Sequence, residues 1–176
     1  LKKKIKKLDI YYRFSPSVDL WNTKGSWKRI IPNTDKKTLI KVSLLSLKKS
    51  ILYFLNNNKL NITLNLIYDQ SSTDFNTEIK NLMNDKKFQT NFYESKIKGN
   101  RGSYLECCDQ SENSEDLIFF VEDDYLFNEN CLDEMILTYS RISTLVENDI
   151  FLCPSDYSFY YDSNYPTSIY IGKNHR

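Results

Sequence analysis

The chain contains no alanine, and among its 176 residues glycine, proline and cysteine occur only four times each and histidine once. A sequence without alanine but crowded with Lys, Asn and Ile points to an A+T-rich coding region. Cys107, Cys108, Cys131 and Cys153 never fall into C-x-x-C spacing, and the single histidine, His175, stands near the far end, which argues against a structural zinc site. Buried thiols in a reducing compartment are the expectation. No stretch approaches the roughly 18 apolar residues that a membrane span requires, and the lysine-rich start lacks the apolar core of a secretory signal. A cytoplasmic protein without a transmembrane segment is therefore expected. An excess of one charge is missing too: 24 basic against 23 acidic residues leave a formal net charge of +1, no basis for binding nucleic acid along an extended surface. The one basic cluster, Lys2, Lys3, Lys4, Lys6 and Lys7, reads as a solvated lead-in, with peripheral contact to an anionic membrane surface as its alternative. The chain also opens on Leu1 instead of methionine, which suggests a fragment.

What is present is globular in composition, 40% hydrophobic and 14% aromatic, in a length that suits one domain spanning 1–176. Neither an internal repeat nor a low-complexity linker marks a boundary. Leu8 to Phe14 is an expected strand, stopped by Ser15-Pro16-Ser17, and Arg13 near its end is either salt-bridged or facing a ligand. Val18 to Asn33, with Trp21, Gly25, Trp27 and Pro32, lacks a period and reads as a long loop. Thr34 to Asn57 is an expected helix, capped by Thr34 or Asp35, with Leu39, Val42, Leu45, Ile51 and Leu55 at helical spacing. Asn61 to Tyr68 alternates as a strand and delivers Asp69, outside the core, to a strand end. The hydroxyls that follow can cap a helix from Asp74 to Asn84.

Lys87 to Glu94 reads as a third strand, and Gly99-Asn100-Arg101-Gly102-Ser103 as a loop before a helix from Ser103 to Gln110. In so glycine-poor a chain, Gly99 and Gly102 are expected where φ is positive or where another group approaches the backbone. Leu117 to Val121 is an unbroken apolar run, the pattern of a central strand buried on both faces, and it runs directly into Glu122, Asp123 and Asp124. Open α/β sheets place their ligands at such strand ends. Three adjacent carboxylates repel one another, and a hard divalent ion such as Mn²⁺ or Mg²⁺ would compensate them while bridging to a substrate diphosphate. Glu129 to Val146 is a further helix with Asn130 as cap and Leu132, Met135, Ile136, Tyr139 and Leu145 as its stripe; Asp149 to Cys153 and Ser168 to Ile171 read as strands. Strands and helices alternating in this way predict a three-layer α/β/α sandwich on a mostly parallel sheet with right-handed crossovers.

In these elements the chain resembles the family 2-type glycosyltransferases of the GT-A fold, a Rossmann-like nucleotide-sugar-binding architecture, over most of its length. The resemblance lies in Tyr11-Tyr12-Arg13-Phe14, in the Asp69-Gln70-Ser71-Ser72-Thr73-Asp74 turn, similar to the family's D-x-S-x-D junction, in Gly99-Asn100-Arg101-Gly102, and in Glu122-Asp123-Asp124 in the place of D-x-D. It implies a metal-dependent transfer of sugar from a nucleotide-diphosphate sugar donor to a glycan, lipid or protein acceptor. Asp69 would then face the base, Asp123 the ribose and Asp124 the Mn²⁺ or Mg²⁺ ion, with Glu122 supporting the metal. Arg13, Asn100 and Arg101 would stand near the base or phosphates, and the backbone at Gly99 and Gly102 would let the nucleotide approach.

Glu122 departs mildly from the family's aspartate. The resemblance implies an acceptor-binding part well after the D-x-D strand, for which about fifty residues are expected to be too few; within them Asp156 and Asp162 are the candidates for a catalytic base, with His175 for a further metal ligand. Two alternatives stand beside this reading: a sugar-phosphate nucleotidyltransferase, which would want a glycine-rich basic loop where Phe14-Ser15-Pro16-Ser17 stands, and a non-catalytic module binding nucleotide sugar or glycan. An EF-hand calcium loop is excluded, because residues 123–127 supply neither the central glycine nor alternating ligands.

Overall fold

A computed structural model describes residues 5–17 and 34–154. The chain divides into two compact units, Ile5–Glu129 and a second made of Leu1–Lys4 with Asn130–Arg176. The larger unit holds β1 (Lys7–Phe14), α1 (Lys36–Asn57), β2 (Asn61–Tyr68), α2 (Thr73–Met83), β3 (Gln89–Glu94), α3 (Asn100–Ser111) and β4 (Leu117–Glu122); the described part of the smaller unit holds α4 (Cys131–Val146). All four strands pair in parallel in the order β3-β2-β1-β4.

Alternation along each strand sorts the side chains onto two faces. Leu8, Ile10, Tyr12 and Phe14 of β1 share one face with Ile62, Leu64 and Leu66 of β2, and all seven are buried. This face meets α1 and α2, which also touch each other: the ring of Phe14 packs edge-on against Phe75, and the Lys80 ammonium lies over Phe92. Tyr11 and Ile67 point the other way and bury Cys107 of α3, whose Gln110 carbonyl accepts from the Tyr11 hydroxyl at 2.9 Å. The larger unit is thus an α/β/α sandwich with an all-parallel sheet. From β1 to β3 the chain advances in one direction with its helices on one face, then returns past β1 to β4 with α3 on the opposite face. Right-handed crossovers require this, since reversing the direction of travel moves the connecting helix to the other side. In open parallel sheets such a reversal is where a crevice forms beyond the strand ends, here those of β1 and β4.

Local chemistry sets the helix starts. The Asp35 carboxylate accepts from the Thr38 amide at 2.6 Å, and the Ser72 hydroxyl from the Phe75 amide at 3.3 Å. Hydrogen bonding to Thr38 holds the Asp35 carboxyl below its ordinary pKa.

Several expectations are corrected. The buried stripe of α1 is Ile40, Leu44, Leu47, Ile51 and Phe54, so the helix is rotated relative to the expected Leu39, Val42 and Leu45, of which Val42 and Leu45 are exposed. Among the described residues β4 is an edge strand and not a central one, and its α3-side residues Ile118 and Phe120 remain 40% and 45% exposed. The segment from Gly99 is no loop: α3 starts at Asn100. Residues 149–153 form no strand, and Leu145 of α4 is exposed while Cys131, Leu132, Tyr139 and Ser143 are buried. No disulfide joins the four cysteines; Cys107 and Cys131 are buried, and burial pushes them up to about 12 and about 11, whereas Cys153 is exposed and Cys108 half-buried. The loop expected over 18–33, the strand over 168–171, Asp156, Asp162, His175 and Lys2 to Lys4 lie outside the described residues. Among the described residues no helix is long and apolar enough to cross a membrane.

The phase of α1 is directly testable. Leu44→Ala should destabilise the fold by about 2–5 kcal/mol, while Leu45→Ala should stay within about 0.5 kcal/mol of wild type. Urea unfolding of both variants measures the contrast, and equal losses would contradict the observed phase.

Candidate functional site

The crevice between β1 and β4 is bounded by charged residues from both strand ends. Arg13 and Glu122 are register partners on adjacent strands, and their side chains form an ion pair between Nη2 and Oε1 on the α3 side of the sheet. The same guanidinium donates from Nη1 to the Asn100 carbonyl at 3.0 Å and to the Asn100 side-chain oxygen, reaches the Ser103 hydroxyl at 3.5 Å, and lies over the Tyr104 ring at 5.9 Å from its centroid. A planar fork with several fixed donors suits this role better than an ammonium would. Arg13 therefore ties the end of β4 to the first turn of α3.

Asp123 takes the opposite side, as strand alternation dictates. Its Oδ1 lies 2.5 Å from Lys36 Nζ and its Oδ2 accepts from the Ser15 amide at 3.2 Å. Both side chains of this pair are largely buried, at 15% and 14% exposure. A buried pair of this kind contributes little net stability, but losing one partner strands the other charge away from water. Asp124, by contrast, stands exposed in the turn. The segment then folds back: the Phe127 amide donates to the Ser46 hydroxyl of α1 at 3.0 Å, and the Phe127 ring packs edge-on against Phe119 of β4.

The three carboxylates expected to press together therefore diverge, and two of them are neutralised by Arg13 and Lys36. Among the described residues no group of three or more His, Cys, Asp and Glu side chains could hold a metal ion. Lys36 escaped the sequence reading, although a signal was available. A lysine one residue after a helix cap opposes the helix macrodipole, and such a local misfit points to a partner elsewhere in the fold.

Asp69 is also placed differently from expectation. It is only 2% exposed, and its Oδ2 accepts from the Gly99 amide at 2.8 Å and from Gln70 Nε2 at 3.2 Å. Its own amide donates to the Phe14 carbonyl at 3.0 Å, and its carbonyl accepts from the Ser15 hydroxyl at 3.1 Å. Asp69 thus joins the ends of β1 and β2 to the start of α3. Gly99 has the positive φ expected of it, +92°, which a side chain would strain. Gly102 serves close approach, but to the chain itself: a Cβ there would lie 1.9 Å from the Ile97 carbonyl oxygen. Arg101 and Asn100 are exposed at the helix start, Asn100 engaged by Arg13. Asp69, Arg13, Gly99, Asn100, Glu122 and Asp123 are thereby joined through contacts around one crevice, whereas Asp156 and Asp162 lie outside the described residues.

No protein-family model matches the chain, and no curated protein or solved structure matches it either.

Two substitutions test this account. Asp69→Ala orphans the Gly99 amide and should cost about 1.5–3 kcal/mol in urea unfolding; an unchanged midpoint would remove Asp69 from its joining role. Gly102→Ala should destabilise by about 1–3 kcal/mol through overpacking, opposite in sign to the usual gain from replacing glycine inside a helix.

Proposed function

We propose that the chain carries a metal-dependent glycosyltransferase domain that takes its sugar from a nucleotide-diphosphate donor. One observation carries the reading: two ion pairs, Arg13 with Glu122 on one face and Lys36 with Asp123 on the other, flank the point where the sheet reverses its strand order. That is where open parallel sheets hold nucleotides. Arg13 and Lys36 supply positive charge for a diphosphate, Arg13 with a fork suited to phosphate oxygens. Asp123 follows the end of β4 and would face a ribose bound there, and Asp69 follows the end of β2, on the far side of β1.

The donor set fits Mn²⁺ or Mg²⁺ in a limited way. Such ions keep several waters and need only one or two carboxylates beside substrate phosphates, and the exposed Asp124 is the residue that would hold one. Glu122 would join it on leaving Arg13. Bound there, the ion would supply Lewis-acid stabilisation of the diphosphate leaving group. The chain's own part is to position the donor between β1 and β4, balance its charge with Arg13 and Lys36, and keep the strand ends joined through Asp69. A glycan, lipid or protein acceptor completes the reading. Its proposed setting is cytoplasmic, with peripheral membrane contact through the N-terminal lysines. The pairing of Glu122 and Asp123 with cations favours a second reading, a nucleotide-sugar or glycan-binding module that uses no metal.

Calorimetric titration of UDP and GDP separates the two. In Mn²⁺ the wild type should bind one of them about 5- to 150-fold more tightly than in EDTA, and Asp124→Asn should erase the difference, because a coupling free energy vanishes with the group that joins two ligands. Binding that ignores EDTA supports the module; no binding of either nucleotide overturns the transferase reading and leaves only a glycan-binding module.

A further inference from the structure

Behind Asp123, the interior contains polar groups that the proposed site has not used. Tyr12 and Val121 are register partners on the α1 side of the sheet, and Asp123 follows Val121 by two residues and points the same way. Helix α1 runs antiparallel to the strands, so its first residue Lys36 stands over the strand ends while Ser43, two turns later on the sheet-facing stripe, lies over Tyr12. The outer side is closed by the segment after β4, anchored through Phe127 to Ser46 and Phe119. Tyr12, Ser43, Lys36 and Asp123 therefore cluster on the α1 side of the sheet, with the ion pair toward the strand ends and the two hydroxyls deeper in the interior.

Those hydroxyls are anomalous. Tyr12 is fully buried and Ser43 nearly so; their hydroxyls interact with each other, but in a contact that falls short of full hydrogen-bond geometry, and neither has another hydrogen-bond partner among the described residues. Buried hydroxyls are normally bonded, and an unmatched one in a native fold calls for a physical reason. Burial pushes the phenol well above its ordinary pKa; the Ser43 hydroxyl opposes that rise and the nearby Asp123 and Asp124 carboxylates add to it, so the phenol keeps its proton. A permanent donor thus stands close to a carboxylate whose oxygens are both already engaged, one by Lys36 and one by the Ser15 amide.

We propose that Tyr12, backed by Ser43, is a positioning residue that receives the Asp123 carboxylate when a bound diphosphate draws the Lys36 ammonium away. The proposal rests on the nucleotide reading of the site. A diphosphate competes directly for the ammonium, and Asp123 would then be left largely buried without its counter-charge, a costly state unless another donor reaches it. The phenol is that donor. Ser43 donates to the Tyr12 oxygen, Tyr12 donates to the Asp123 carboxylate, and one small movement satisfies both orphan hydroxyls. No proton changes owner. The carboxylate is then held where it can meet the ribose, and networks of this kind strengthen in a low-dielectric interior.

Tyr12→Phe tests it, by UDP and GDP titration in Mn²⁺ alongside thermal unfolding without ligand. The variant should melt no lower than wild type, since it deletes an unmatched hydroxyl, and should bind nucleotide about tenfold more weakly, the loss of one hydrogen bond to a charged group. A double-mutant cycle with Asp123→Asn should show coupling between the two positions in nucleotide affinity and none in ligand-free stability. Affinity equal to wild type, or coupling already present in the ligand-free protein, overturns the proposal and leaves the nucleotide reading standing. If Tyr12→Phe does not fold, Ser43→Ala decides: about threefold weaker nucleotide binding supports the relay, and unchanged binding overturns it. A wild type that binds neither UDP nor GDP refutes the nucleotide reading and the inference together.

Discussion

The handedness of β-α-β crossovers is the constraint from which the site follows. Because the connections turn one way, a chain that proceeds from β1 to β3 and then returns to the far side of β1 must change faces with its last helix. Helices α1 and α3 consequently begin on opposite sides of the same crevice. Each delivers side chains to the end of β4: Lys36 from one face, Asn100 and Ser103 through Arg13 from the other. β1 supplies the middle, with Arg13 facing α3 while Tyr12 and Phe14 face α1 and α2.

Strand alternation then distributes the acids. Glu122 belongs to the pleat and shares a face with Arg13; Asp123, the next residue, turns to Lys36; Asp124 has left the strand and meets solvent. Three carboxylates in a row could be a severe electrostatic burden, but Glu122 and Asp123 are paired with cations on opposite faces and Asp124 lies beyond the strand in an exposed turn. A ligand entering this crevice exchanges partners with existing ion pairs instead of filling bare charge. Its net affinity is therefore the difference between what it offers the cations and what they already have.

The elements were largely legible. β2 coincides with the alternating segment from Asn61 to Tyr68 because polar and apolar residues there follow a period of two between Asn-rich and Ser-rich flanks. The phase of α1 was not, because Leu39, Val42 and Leu45 keep helical spacing as well as Ile40, Leu44 and Leu47 do, and only the packing against the sheet chooses between them. The edge position of β4 was hidden for a similar reason: an apolar run records side-chain character, whereas burial depends on which neighbours arrive. At the site, motif spacing located Arg13, Asp69, Gly99 and the three acids, but each intramolecular partner joins residues far apart in sequence. Asp69 with Gly99, Arg13 with Glu122 and Lys36 with Asp123 could be identified only once the topology had brought them together.

The strand order also has a consequence in time. Arg13 lies in the first strand, yet its partner Glu122 is 109 positions further along the chain. At synthesis rates of roughly 5–20 residues per second, β1 waits on the order of 5–20 s for that neighbour. Its other edge can pair with β2 much sooner, across a single helix. A long-range parallel pairing of this kind is slow to form because the connecting chain must first surrender its freedom. The strand that finishes as the most enclosed in the sheet thus passes much of its synthesis with one edge open, and the crevice can take shape only when β4 has docked.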